Sequence, residues 1–433
     1  MRDIHMLNNL NNLKLERVLE RDEWKKYGAV STPEEIVEFM IKMSNIERWE
    51  NLNILEPGCG FYDFSTKIYA MYPHNKFTGI ENNQKIYEIV RRLFPDFNTI
   101  FGDFLLWNTE EKFDLIIGNP PYGIIGHESH YPIHIEYWKK KLYKRLYKTW
   151  FGKYNIYGLF IEKSINLLKP NGKLTFIIPA TFMILNDFKK LRSFLADIGR
   201  IKIYYLGKKI FKNKNVSTCI LIVEKGLKGL ELYEVRELKE IIEYYKKEDY
   251  NGEIIRFETK TTREFEKNTV LLGNVFSIHF AARSPEVKGH PLISKEPRLG
   301  YLPVLKGNNL YPGWIDYDKC YSGLWIPQEA VSSLRKFYKI PHIVVGHTKG
   351  GRIVAAVDKR CYPWVEEIHL VPKLDVDLDA IVNYLNSEQV NSYMRELYKD
   401  ITPHTTITQL KLLPLPLYLI KRRLNQGVNI DNT

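Results

Sequence analysis

FDLIIGNPPYG, residues 113–123, decides how this chain is read. FDLII has the length and composition of a strand buried on both faces. It ends in Asn-Pro-Pro-Tyr. Each proline fixes its own φ, carries no N–H and pushes the residue before it toward an extended shape. Asn119 and Pro120 are therefore held as a stiff ledge where the strand leaves the sheet. There the Asn119 side-chain oxygen and the Pro120 carbonyl oxygen point to one spot, with no N–H from Pro120 or Pro121 to compete. The bland alternative is a plain Pro-Pro turn, and the upstream sequence argues against it.

Upstream, NILEP (53–57), FTGIE (77–81) and TIFGDF (99–104) read as short buried strands, with the helical pattern QKIYEIVRRLF (84–94) among them. Downstream, GLFIEKSINLLKP (158–170) has helical periodicity and a stop signal at Pro170-Asn171-Gly172. KLTFIIP (173–179) and IKIYYLG (201–207) read as strands, FKKLRSFLADIG (188–199) as a helix, and STCILIVEKG (217–226) as a strand closing the sheet. Such alternation predicts an α/β fold, a mostly parallel sheet with helices on both faces. Residues 227–268 are strongly charged and read as a connecting segment. From 269 to 433 the apolar runs shorten and Pro, Gly and Trp scatter, which predicts a second, loop-rich α+β domain.

Three acids fall at successive strand ends. LEPGCG (55–60) supplies Glu56 and a turn in which Gly58 and Gly60 let a ligand approach the backbone. Glu81 ends the second strand, a position that typically takes ribose hydroxyls. Asp103 ends the third, followed by Phe104. All three line the carboxyl edge of one sheet, where open α/β proteins bind ligands. Three carboxylates repel phosphate but suit a nucleoside that carries none, and S-adenosylmethionine is such a ligand. The Asn-Pro-Pro-Tyr ledge then suits an exocyclic amine on a planar base. Adenine N6 is a poor nucleophile because its lone pair is delocalised into the ring. Two acceptors on its two hydrogens favour a more pyramidal nitrogen and free the lone pair for attack on a methyl sulfonium. Tyr122 can stack on the base, a contact worth about 1–3 kcal/mol.

In this order and spacing, LEPGCG, GIE, GDF, GNPPYG and FIEKSINLLKPNGKLTFIIP resemble the amino-methyltransferases that use S-adenosylmethionine. More narrowly, the chain resembles the TaqI-type γ-group N6-adenine DNA methyltransferases. The resemblance implies a Rossmann-like methyltransferase sheet over residues 1–240 and a DNA target-recognition domain over 241–433. YGAVSTPEEIVEFMIKM (27–43) resembles the family's methionine-binding motif, which implies that Thr32 and Pro33 approach the methionine end of the cofactor. It also implies Glu56 at that end, Glu81 on the ribose, Asp103 on the cofactor adenine amine and Phe160 against that adenine. KIFKNKNVSTCILIVEKG (209–226) is similar to the segment whose aromatic, here Phe211, stacks on the extruded base opposite Tyr122. The pattern departs at Tyr62, where the family usually has a second glycine. The implied partner is duplex DNA, with a cognate restriction endonuclease as a functional partner.

Charge placement agrees. Of a net charge of +12, residues 131–220 hold 19 Lys/Arg against four Asp/Glu, so the remainder is slightly acidic. A polyanion would explain such clustering, and KKKLYKRLYK (139–148) is its densest run. A base cannot react while stacked in a duplex, so the target must be flipped out. Arg283, Lys306, Lys349 and Arg352 are the candidates for reading bases. The four cysteines are scattered without a CxxC pair, which argues against zinc or a disulfide framework, and no metal site is expected. The N-terminal MRDIHMLNNL lacks a signal-peptide pattern and no stretch reaches membrane-span length, so a cytoplasmic location is expected. The alternatives are an N4-cytosine, RNA or protein-glutamine methyltransferase, or a non-catalytic DNA-binding relative.

Overall fold

The computed structural model describes residues 32–208, 210–211 and 216–420. Residues 27–31, 209 and 212–215, which belong to two of the segments singled out above, lie outside the described residues, as does the N-terminal MRDIHMLNNL. The chain forms two compact units, the first ending at Arg256 and the second beginning at Phe257.

The first unit carries a nine-stranded sheet. It opens with α1 (Glu34–Met43), whose Ile36, Val37, Met40 and Ile41 recur at helical spacing and are buried. Strands and helices then alternate through β1 (Asn53–Pro57), α2 (Asp63–Met71), β2 (Lys76–Glu81), α3 (Gln84–Leu93), β3 (Asn98–Phe101) and β4 (Phe113–Gly118). The two-residue strands β5 (Ile125–Gly126) and β6 (Ile133–His134) lead to α4 (Tyr137–Leu146). After them come α5 (Ile156–Leu167), β7 (Leu168–Pro179), α6 (Lys189–Ile198), β8 (Gly199–Gly207), β9 (Thr218–Lys225), β10 (Leu230–Arg236) and β11 (Glu240–Lys247).

Across the sheet the order is β3-β2-β1-β4-β7-β9-β8-β10-β11. β3, β2, β1, β4 and β7 run parallel. β9 is antiparallel to both its neighbours, β7 and β8. Chain order reverses at β1, which pairs with β2 on one side and β4 on the other. A crevice therefore opens at the carboxyl ends of β1 and β4, where the two halves of the sheet lead away in opposite directions.

Three expectations are corrected. β9 lies inside the sheet rather than closing it, because TCILIVEK is apolar toward both faces and buried up to its last residue. Residues 227–268 are not merely a connector. In LELYEVR Leu230 and Leu232 alternate and are buried, the register shifts between Leu232 and Tyr233, and Val235 is buried beyond the shift; β10 pairs with both β8 and β11. A boundary at 240 would cut β11 from the sheet it belongs to, so the first unit extends further. The helix stop also comes early: α5 ends at Leu167, and Asn171 takes a left-handed φ of 62° within β7.

The second unit is α+β, as expected. Its main sheet is antiparallel, with strands in the order Phe276–Phe280, Ile368–Pro372, His342–Val345 and Ala355–Asp358. The helices Leu378–Asn386 and Glu388–Tyr398 follow. At its core Trp364 is fully buried, and its Nε1 donates to Asp358 Oδ2 at 2.9 Å.

Candidate active site

At the β1/β4 crevice lies a cavity of about 230 Å³. Thr32, Glu56, Gly58, Gly60, Glu81, Asp103, Phe104, Asn119, Pro121 and Phe160 all line it. These residues come from six separate stretches of sequence, and the parallel topology brings them to one edge. Pro33, Pro120, Tyr122 and Phe211 do not line the cavity. Pro33 instead starts α1, its carbonyl accepting from Ile36 and Val37.

Glu56 and Glu81 are held by donors from the segments that follow β1 and β2. Glu56 is buried and accepts from Ser65 N at 2.8 Å, Ser65 Oγ at 2.6 Å and Phe64 N at 3.4 Å, all in the first turn of α2. Burial outweighs those hydrogen bonds and pushes its pKa up to about 8. Glu81 takes Gly60 N at 3.0 Å on one oxygen and Asn83 N at 2.7 Å on the other, and burial raises its pKa as well. The first contact ties the glycine turn to the end of β2. Gly58 (φ 65°) and Gly60 (φ 51°) both need the left-handed region. Gly58 also passes close to Phe160, which packs on Phe104 with ring centroids 5.0 Å apart.

Tyr62 also sits in the left-handed region, at φ 61°, as the family glycine could without strain. Its side chain does not enter the cavity. It is fully buried over Gly79, where an added Cβ would lie 2.2 Å from the Tyr62 hydroxyl. The ring meets Phe94 and Phe97 edge-on, and the hydroxyl lies 2.9 Å from Thr99 Oγ1. The departure from the family pattern is thus compensated in the core behind the loop.

On the ledge, Asn119 donates through Nδ2 to Thr32 Oγ1 at 3.1 Å, and Thr32 N donates to Asp63 Oδ2 at 3.1 Å. The Asn119 amide is therefore oriented, and its carbonyl oxygen is the side chain's acceptor. Tyr122 is anchored by its hydroxyl to Ile177 O at 2.8 Å. It does meet Phe211, but edge-to-face, with centroids 6.3 Å apart and planes at 70°. That is an arrangement aromatic pairs prefer.

Sequence reasoning missed the residues that cover the cavity after the ledge. Ile133, His134, Ile135, Lys139 and Tyr143 all line it. Lys139 and Tyr143 are spaced i, i+4, so they share one face of α4, and Tyr147 follows at its end. That spacing was legible in KKKLYKRLYK, where only the charge was read. Lysines in this run also lie over aromatic rings: Lys140 over Tyr131, Lys141 over Tyr137 and Lys144 over Trp150.

In the second unit the candidate readers separate. Lys349 Nζ donates to the carbonyls of Gly307 (2.6 Å) and Leu310 (3.0 Å) and braces a loop. Arg283 lies over the Phe280 ring at 4.1 Å, and Arg352 pairs with Glu388 at 3.2 Å. Lys306 is partly exposed beside the turn that begins at Gly307.

The Eco57I restriction-modification methylase family matches residues 36–211, and the TaqI-like C-terminal specificity domain matches residues 302–415. The type II methyltransferase M.TthHB8I of Thermus thermophilus is 46% identical over 396 residues, covering 90% of this chain and 91% of the relative. The chain belongs to the type II restriction–modification DNA methyltransferases. The methyltransferase also shares 36% identity over 135 residues with the restriction enzyme and methyltransferase RM.Eco57I of Escherichia coli, covering 30% of this chain and 13% of that one. Its fold is similar to that of the DrdV–DNA complex, with a TM-score of 0.56 at 13% identity over 84% of this chain and 51% of that one. Among the described residues no helix of the methyltransferase is long and apolar enough to cross a membrane.

Proposed function

We propose that this methyltransferase modifies adenine N6 in duplex DNA, on a base flipped out of the helix, and reads its target site through the second unit. The observation that carries this reading is Asn119. It stands at the sheet's switch point, oriented by Thr32, and lines the same cavity as Glu56, Glu81 and Asp103. When bound, S-adenosylmethionine supplies the methyl group on a positively charged sulfur. The cavity fits such a group: its acids sit among backbone donors, its glycine turn allows close approach, and the Phe104–Phe160 pair offers an apolar wall. Thr32 and Glu56 serve the methionine end, Glu81 the ribose and Asp103 the adenine amine.

The Asn119 oxygen and the Pro120 carbonyl accept the two hydrogens of the target amine and stabilise the positive charge that develops on it. No base is needed before transfer, since the amine is neutral and the product ammonium is strongly acidic. The basic stretch 131–220 supplies phosphate contacts, and a cognate restriction endonuclease is the functional partner. The direct test incubates the protein with tritiated S-adenosylmethionine and mixed-sequence duplex DNA, followed by nucleoside analysis. Label in N6-methyladenine is expected. Label in N4-methylcytosine would keep the ledge and change the base; label only in RNA or peptide would overturn the reading.

Two further results are expected. With its pKa near 8, free Glu56 is mostly protonated below that pH. A cation beside it favours the carboxylate, so binding releases a proton and cofactor affinity rises with pH up to about 8. The slope approaches tenfold per pH unit, about 1.4 kcal/mol. Calorimetry between pH 6 and 8 measures it, and Glu56→Gln should flatten it. Tyr122→Ala should weaken the hold on the flipped base by about 1–3 kcal/mol, whereas Tyr122→Phe keeps the ring and loses the Ile177 anchor. Unchanged emission of 2-aminopurine at the target in Tyr122→Ala would refute the stacking role.

A further inference from the structure

Asp103 is crowded. Its Oδ1 accepts from Leu105 N at 2.9 Å. Its Oδ2 accepts from the Tyr143 hydroxyl at 2.5 Å and is also paired with Lys139 Nζ. A carboxylate oxygen has two lone-pair directions, so those of Oδ2, the oxygen that meets the cavity-lining Lys139 and Tyr143, are both taken, while Oδ1 on the Leu105 amide keeps one. Lys139 and Tyr143 come from the same face of α4, and both line the cavity beside Phe104 and Phe160. The cavity, about 230 Å³, is below the ~300–1,000 Å³ of clefts that bury a ligand of this class. These side chains stand in its Asp103 end.

The two contacts differ in how easily they exchange. Tyr143 is 2% exposed, and burial with the charge of Asp103 keeps its phenol protonated, a fixed donor. Tyr147, one turn on, donates to Leu105 O at 2.5 Å and pins α4 to the loop that carries Asp103. Lys139 is a quarter exposed, on a flexible four-carbon stem with three rotatable donors. An incoming donor therefore displaces the lysine, and the tyrosine stays.

We propose that Lys139 gates the Asp103 end of the cofactor cavity: Tyr143 positions Asp103, while Lys139 occupies the remaining acceptor direction of Oδ2 and is displaced when an adenine amine binds there. This deepens the reading above and rests on it, since it takes Asp103 as the partner of the cofactor's adenine. The ammonium satisfies the carboxylate while no amine donor is present. Affinity for a ligand bearing an exocyclic amine is lowered by the cost of breaking that pair, whereas a ligand without the amine leaves the pair intact.

The test is calorimetry on the full-length protein with two probes, S-adenosylhomocysteine and its deaminated inosine analogue. Neither probe carries the sulfonium charge. Lys139→Met should tighten S-adenosylhomocysteine about fivefold, the worth of a partly exposed ion pair, and leave the inosine analogue unchanged. Tyr143→Phe should weaken S-adenosylhomocysteine and narrow the discrimination between the probes, which a merely structural loss would not do. Equal gains for both probes, or no gain in Lys139→Met, would overturn the gate and leave the cofactor reading standing. Failure of the unaltered protein to bind either S-adenosylhomocysteine or S-adenosylmethionine would overturn the reading beneath it as well.

Discussion

Asn119→Ala removes methyl transfer, with a fall in kcat of about 10²–10³-fold or more, while a gel shift with duplex DNA persists. That is the scale on which one preorganised hydrogen-bond partner of a developing charge contributes. The substitution deletes the acceptor but leaves the Pro120 and Pro121 ledge and the basic stretch in place. Asn119→Asp separates chemistry from support. It keeps an acceptor oxygen toward the amine, and the Thr32 hydroxyl can donate to it where it now accepts from Asn119 Nδ2. Its rate should fall between those of Asn119→Ala and the unaltered protein, because a carboxylate also brings a charge that the amide lacks. Single-turnover kinetics reads the step directly. Near-normal transfer by Asn119→Ala would sink the amine-activation mechanism, whatever the substrate.

Tyr62→Gly destabilises the first unit by about 1–4 kcal/mol and does not tighten cofactor binding. Two terms oppose each other. Glycine relieves the left-handed backbone at this position, worth about 1–2 kcal/mol. Deleting a fully buried aromatic leaves a cavity that costs about 3–5 kcal/mol. The cavity opens over Gly79 beside Phe94 and Phe97. The loss of packing therefore wins. Tyr62→Phe isolates the hydroxyl and its contact with Thr99, worth about 1 kcal/mol. Denaturant unfolding and calorimetry with S-adenosylmethionine check both halves. A variant with unchanged stability and tighter cofactor binding would mean that Tyr62 obstructs the loop after all.

The second result bears on what a sequence pattern can say. By its own periodicity and punctuation the chain determined the α/β alternation, the three acids at strand ends, the Asn-Pro-Pro-Tyr ledge and a change of character in its second half. Those signals are local: strand length, proline stereochemistry and glycine turns act over a few residues, so they are legible without a fold. LELYEVR carried the signal of a strand too, with Leu230 and Leu232 two apart, but its charges hid it. What Tyr62 does was not legible, because its partners are Gly79, Phe94, Phe97 and Thr99, brought together only when β2 and β3 pair. The same holds for the edge-to-face meeting of Tyr122 with Phe211 and for Lys349, whose donors are spent on the backbone of another loop. It holds most of all for Lys139 and Tyr143. As a sequence they are part of a basic run. Only folding turns one face of α4 onto Asp103, because side-chain contact across 40 residues depends on where the helix packs, which no local spacing specifies.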